Sequence, residues 1–282
     1  MSEPTRSTSP IGGRAQGPGS PLVRQQRVLL ATLLGLAAVA WAVLVWQSGR
    51  DMAMGDREGA MAMGEPSTLD LTAGMSAGLF LAMWVVMMAA MMFPTAAPMV
   101  LMFARVHAGK RRRGQSFVPT WVFTLAYLAL WTAFGAVAYL LASVASAQLQ
   151  QSMWLADNAA RIAAVAIILA GVYQLTPLKR VCLRHCRSPL AFVTQHWREG
   201  KAGSFLMGLQ HGLYCLGCCW LLFVLLFPIG VMNVAAMLLI TALIFAEKAL
   251  PAGERTARFA AAALIGYGAL VLAVPAALPL SS

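Results

Sequence analysis

His211, Cys215, Cys218 and Cys219 stand close together in an otherwise apolar stretch, His-Gly-Leu-Tyr-Cys-Leu-Gly-Cys-Cys-Trp, running from 211 to 220. Offsets of four, seven and eight put all four on one stripe of a helix. One imidazole and three thiols form a soft donor array, the kind that selects Cu(I), zinc or iron–sulfur clusters over hard cations. The competing account is packing, because cysteine also behaves as a small hydrophobe in buried helices. Three thiols and an imidazole on one face are hard to place by packing alone.

A second thiol pair, Cys182 and Cys186, lies among Lys179, Arg180, Arg184 and Arg187. Its four-residue spacing puts both sulfurs on one helical face, and the surrounding cations favour thiolate. Metal binding, redox chemistry and unpaired interfacial cysteines all fit this pair. Thioethers are the third soft donor. Met83, Met87 and Met91 follow helical spacing, with Met88 and Met92 as an adjacent stripe, though methionine is also an adaptable core filler. Met52, Met54, Met61 and Met63 lie instead in polar, acidic sequence, where packing gives less reason for them. Such pairs would suit capture of copper from an oxidising compartment, and a disordered loop is the alternative. Glu247, Tyr214 and Gln174 are polar neighbours of these stretches that could supply supporting contacts. Glu247 and Lys248 together could equally anchor a helix at the interface. His107, His185 and His196 fall in basic connectors, where a solvated role is the expectation.

These residues must be positioned by helices. The chain of 282 residues is 60% hydrophobic and 11% charged, against roughly 25% charged for a soluble domain. Apolar runs of about 20 residues, each able to cross roughly 30 Å of hydrocarbon, mark an all-α membrane protein, a polytopic helical bundle. We expect about seven transmembrane helices, over residues 28–46, 73–103, 117–143, 158–175, 204–227, 231–245 and 259–276 within a transmembrane domain of 28–276. Pro94 and Pro98 predict a kink or break in the second. Residues 1–27, rich in Ser, Pro, Gly and Arg, read as a disordered cytoplasmic tail rather than a cleaved signal peptide. Residues 47–72 read as a Met-rich outer loop and 176–203 as a basic inner loop.

On this topology 18 of the lysines and arginines lie on one side and 3 on the other. That bias puts the N-terminus in the cytoplasm. The net charge of +11 is therefore topological, and no aromatic–basic module indicates a nucleic-acid partner. No phosphate-binding Gly-x-x-x-x-Gly-Lys-Ser/Thr loop appears, which disfavours an autonomous ATP-driven pump.

The stretch Met83-Trp84-Val85-Val86-Met87-Met88-Ala89-Ala90-Met91-Met92-Phe93-Pro94 resembles the signature of a bacterial family of predicted metal-binding integral membrane proteins of unknown function. So does Tyr173-Gln174-Leu175-Thr176-Pro177-Leu178-Lys179, continuing to Cys182 and Cys186, and so do residues 211–220 and the Glu247-Lys248 pair. The resemblance covers about residues 75–250 and implies a membrane location and metal binding. With the soft donors, it leads us to expect a multi-pass protein of the bacterial cytoplasmic (inner) membrane. It would bind copper foremost, with zinc or iron as alternatives, for trafficking, homeostasis or metalloenzyme assembly. Expected partners are membrane lipid, the metal ion, and a metallochaperone or metalloenzyme. A membrane thiol-disulfide oxidoreductase and a non-metal structural subunit of a membrane complex are the alternatives, and an enzymatic role is the less favoured.

Overall fold

A computed structural model describes residues 21–59, 70–115, 117–231 and 233–277. Eleven helices make up these residues, and no strand occurs among them: α1 (Pro21–Gly59), α2 (Ala77–Arg112), α3 (Thr120–Gln151), α4 (Met153–Asp157), α5 (Ala159–Gln174), α6 (Pro177–Arg187), α7 (Pro189–Gln195), α8 (Gly200–Val224), α9 (Leu226–Ile229), α10 (Val234–Ala249) and α11 (Gly253–Ala273). The all-α class is as expected.

Among the described residues, five segments are long and apolar enough to cross a membrane: α1, α2, α3, α8 with its continuation through α9, and α11. The number is six if α5 and α6, bent by 62° at their junction, form one broken span. The fourth and sixth expected spans correspond to α5 and α10, each of 16 residues. At 1.5 Å per residue each is about 24 Å long, short of a hydrocarbon core of roughly 30 Å.

Three expectations about connectors change. Residues up to Gly59 belong to α1, so Met52 and Met54 sit on a helix rather than in a loop, and residues 21–27 of the expected tail are helical too. Met61 and Met63 lie outside the described residues. The basic stretch 176–203 is largely helical, because Thr176 and Pro177 start α6. The Thr176 hydroxyl accepts from the Lys179 amide at 3.3 Å, and proline suits the first helical position. The helix is amphipathic. Lys179, Cys182 and Leu183 are buried and Cys186 half-buried, while Arg180 and Arg184 are exposed.

Helix α2 also runs through Pro94 and Pro98 without a break. Proline at 94 removes the amide that would bond the carbonyl of Ala90. That carbonyl instead accepts from Nε1 of Trp41 on α1, at 3.1 Å. A neighbouring helix thus satisfies the buried group that proline frees.

Helix α2 packs between α1 and α3, α3 lies against α8, α5 against α11, and α6 against α8. Trp84, Trp131 and Phe223 fill the junction of α2, α3 and α8, where the Trp84 indole donates to the Trp131 carbonyl at 2.9 Å. Gly208 permits the α3–α8 contact, since a Cβ there would collide with the backbone carbonyl of Phe123. At the far end, Asp70 accepts from the hydroxyl and amide of Thr72 at 2.7 and 2.8 Å, from the Gly74 amide at 2.8 Å and from the Ser146 hydroxyl at 3.4 Å. This ties the approach to α2 onto α3. Slight burial pushes the Asp70 carboxyl up, but the bonds from Thr72, Gly74 and Ser146 outweigh it and hold it below the usual aspartate value.

Candidate metal centre

Helix α8 carries the first soft stripe as its spacing dictates. His211, Cys215, Cys218 and Cys219 are all buried on its inward face. Helix α6 brings the second thiol pair to them. Cys186, half-buried, packs against the core cluster that holds Cys182, Cys215, Cys218 and Cys219. Cys182 packs beside Gly217, where a Cβ would stand 2.7 Å from its Sγ. The absence of that Cβ lets α6 approach α8 this closely. The Tyr173 hydroxyl donates to the Gly217 carbonyl, closing the α5–α6 bend onto the same point. All five cysteines are free thiols.

Of the five methionines singled out on α2, Met92 reaches a thiol. Sδ of Met92 on α2 is 4.0 Å from Sγ of Cys215. Met87, Met88 and Met91 are buried in the same hydrophobic core, and Met87 lines a small gap with Leu44, Phe80 and Trp84 on the α1 side. His211 stacks near Phe123 and Tyr127, with ring centroids 5.9 and 5.7 Å away, and its buried Nδ1 has no hydrogen-bond partner.

Two residues that spacing did not single out complete the sulfur environment. The Tyr127 hydroxyl on α3 is 3.1 Å from Cys215 Sγ, and Nζ of Lys248 on α10 donates to the same sulfur at 3.1 Å. Lys248 thereby places a positive charge within hydrogen-bonding reach of a thiol. Its only sequence signal is its position in a charged pair ending an apolar run. Tyr127 leaves no signal, being one tyrosine in an apolar helix.

Glu247, the other half of that pair, turns away from the sulfurs. Its Oε2 accepts from Lys179 Nζ at 2.7 Å with both side chains almost fully buried, and Gln174 also accepts from Lys179. The pair fastens α10 to α6 one residue away from Lys248 and three from Cys182. Glu247 and Gln174 are therefore structural neighbours of the centre. Tyr214 stacks on His185 at 4.1 Å. His107 is buried rather than solvated, accepting from the Val118 amide at 3.1 Å.

Among the described residues, no group of three or more His, Cys, Asp and Glu side chains stands ready to hold a metal ion. The geometry shows why. The Cys218 and Cys219 thiols donate back to the Cys215 carbonyl, at 3.1 and 2.8 Å, instead of pointing at a common centre. The donor chemistry nevertheless fits a soft, low-coordinate cation: clustered thiols, a thioether and an ammonium beside one sulfur, with no carboxylate in contact with them.

No curated protein and no solved structure matches the chain. A family model described as a copper chaperone, PpoB2, matches residues 81–271. The match runs from α2 to α11, takes in all five cysteines, Met92, Tyr127 and Lys248, and covers well over half of the 282 residues. The chain belongs to the PpoB2 family of copper chaperones.

Proposed function

We propose that the protein is a multi-pass protein of the bacterial cytoplasmic membrane that carries Cu(I) as cargo, for trafficking, homeostasis or delivery to a metalloenzyme. The observation that carries this reading is the meeting of two thiol pairs distant in sequence. Cys186 of α6 packs against the cluster that holds Cys215 and Cys218 of α8, with the Met92 thioether 4.0 Å from Cys215 Sγ. Cu(I) is the ion such ligands select. Thiols must lose their protons to bind it, and Lys248 lies where it balances the charge left on Cys215.

In this reading the Cys215, Cys218 and Cys186 sulfurs take the ion, and Cys218 and Cys219 exchange their bonds to the Cys215 carbonyl for it by side-chain rotation. Met92 is a weak additional donor, and His211, with its unpartnered Nδ1, stands one helical turn away. A set of soft ligands with one weak member lets an ion both enter and leave. The five apolar helices and the lysine and arginine bias support the membrane location, with the N-terminus in the cytoplasm.

The test is elemental mass spectrometry on protein purified in detergent under anaerobic, reducing conditions. Copper should accompany the wild type and be lost from the Cys215→Ser, Cys218→Ser, Cys219→Ser triple variant. Zinc or iron in that pattern would keep the site and change the metal. Metal unaffected by the substitutions would defeat the proposal.

A further inference from the structure

Two imidazoles stand together around Tyr214 of α8. The ring centroids of His185, on α6, and His196, at the end of α7, are 6.1 Å apart, with the planes at 71°. Both are fixed in the same way. Nδ1 of His185 donates to the Val181 carbonyl at 2.9 Å, and Nδ1 of His196 donates to the Phe192 carbonyl at 3.2 Å. A carbonyl only accepts, so these bonds place each ring proton on Nδ1 and leave Nε2 with a free lone pair. A backbone carbonyl holding the far nitrogen is the usual means of orienting a metal-binding histidine.

Stacking orients the rings further. His185 lies parallel to Tyr214, with centroids 4.1 Å apart and planes at 2°. His196 stacks on Phe192 at 4.7 Å and 19°. Both histidines are half-buried, unlike the sealed Cys215 and Cys218. His185 also lies next to the thiol positions in sequence. His185 precedes Cys186, and Tyr214, on which it stacks, precedes Cys215.

We propose that His185 and His196 form a second Cu(I) site, two-coordinate through their Nε2 atoms, separate from the sulfurs. The proposal rests on the copper reading above. With metal–nitrogen bonds of about 2.0 Å, two imidazoles on opposite sides of one ion have centroids roughly 6 Å apart, which is the spacing found. Neutral nitrogens with no carboxylate beside them suit a soft cation.

The experiment is anaerobic titration with Cu(I) against a chromogenic chelator of known affinity. It compares wild type with His185→Asn/His196→Asn, since an asparagine amide can still reach the backbone carbonyls. The double variant should bind one equivalent fewer than wild type and keep the tighter, sulfur-bound one. The same stoichiometry and affinity in both proteins would overturn the histidine site and leave the sulfur reading standing. Failure of wild type to bind Cu(I) at all would overturn both. As a check independent of the sulfurs, the Cys215/Cys218/Cys219→Ser variant should retain a weaker equivalent that disappears when the two histidines are also replaced. Retention of that equivalent after their replacement would overturn the site too.

Discussion

Nζ of Lys248 stands 3.1 Å from Sγ of Cys215, joining α10 to α8 through an ammonium and a thiol. Lys248 is half-buried, and Cys215 is sealed from solvent. An ammonium placed this way has little to do for packing, and its natural counterpart is a sulfur that carries negative charge when copper binds. Lys248→Met should therefore weaken Cu(I) binding by roughly 10–100-fold, the range for outer-shell partners of metal ligands, while the protein stays folded. Competition with a Cu(I) chelator, alongside thermal unfolding, measures both. Undiminished affinity would remove Lys248 from the site.

The buried pair of Lys179 and Glu247 holds α6 against α10 and so sets where Cys182 and Cys186 lie. Removing one member strands a buried charge, which costs about 3–5 kcal/mol. Lys179→Met should lower the unfolding temperature in detergent sharply, and Lys179→Met/Glu247→Leu should restore much of it. Equal loss in the single and double variants would contradict an ion pair.

Gly217 marks the closest approach of α6 to α8. In Gly217→Ala the new methyl stands 2.7 Å from Cys182 Sγ. Overpacking of this kind costs about 1–3 kcal/mol. The variant should unfold at lower temperature, and Cys182 and Cys186 should alkylate faster as α6 moves outward. Unchanged alkylation rates would mean that the contact is slack.

The Asp70 cap gives a pH dependence with a definite sign. Its folded carboxyl titrates below the ordinary value of 3.8, so its stabilisation is fully present above that value. It is lost as pH falls through the folded value. Unfolding temperatures of wild type and Asp70→Asn should differ at neutral pH and converge under strong acid. A difference that persists undiminished in acid would show that the carboxylate charge is not what the cap uses.

Much of this arrangement is legible in the sequence, and the losses have physical causes. The stripe from His211 to Cys219 follows from helical periodicity alone, and α8 displays it. Burial of Met87, Met88, Met91 and Met92 is equally readable, but which one meets a thiol depends on how α2 crosses α8. Only Met92 does. The stretch from 176 to 203 looked like a loop because its charges mask the apolar spacing of Lys179, Cys182, Leu183 and Cys186. The unbroken α2 was not foreseeable at Pro94, since the donor that rescues Ala90 comes from Trp41, 49 residues away. Tyr127 joins the site through a tertiary contact that leaves no local pattern, and Lys248 is marked in the sequence only as half of the Glu247-Lys248 pair.

The central claim, that copper rests on sulfur where α6 meets α8, is tested most directly by X-ray absorption at the copper edge on protein loaded with one equivalent of Cu(I). The account predicts a first shell dominated by sulfur, which is lost in the Cys186→Ser/Cys215→Ser/Cys218→Ser variant. A first shell of nitrogen and oxygen alone, or a sulfur shell unaltered by those substitutions, would contradict it.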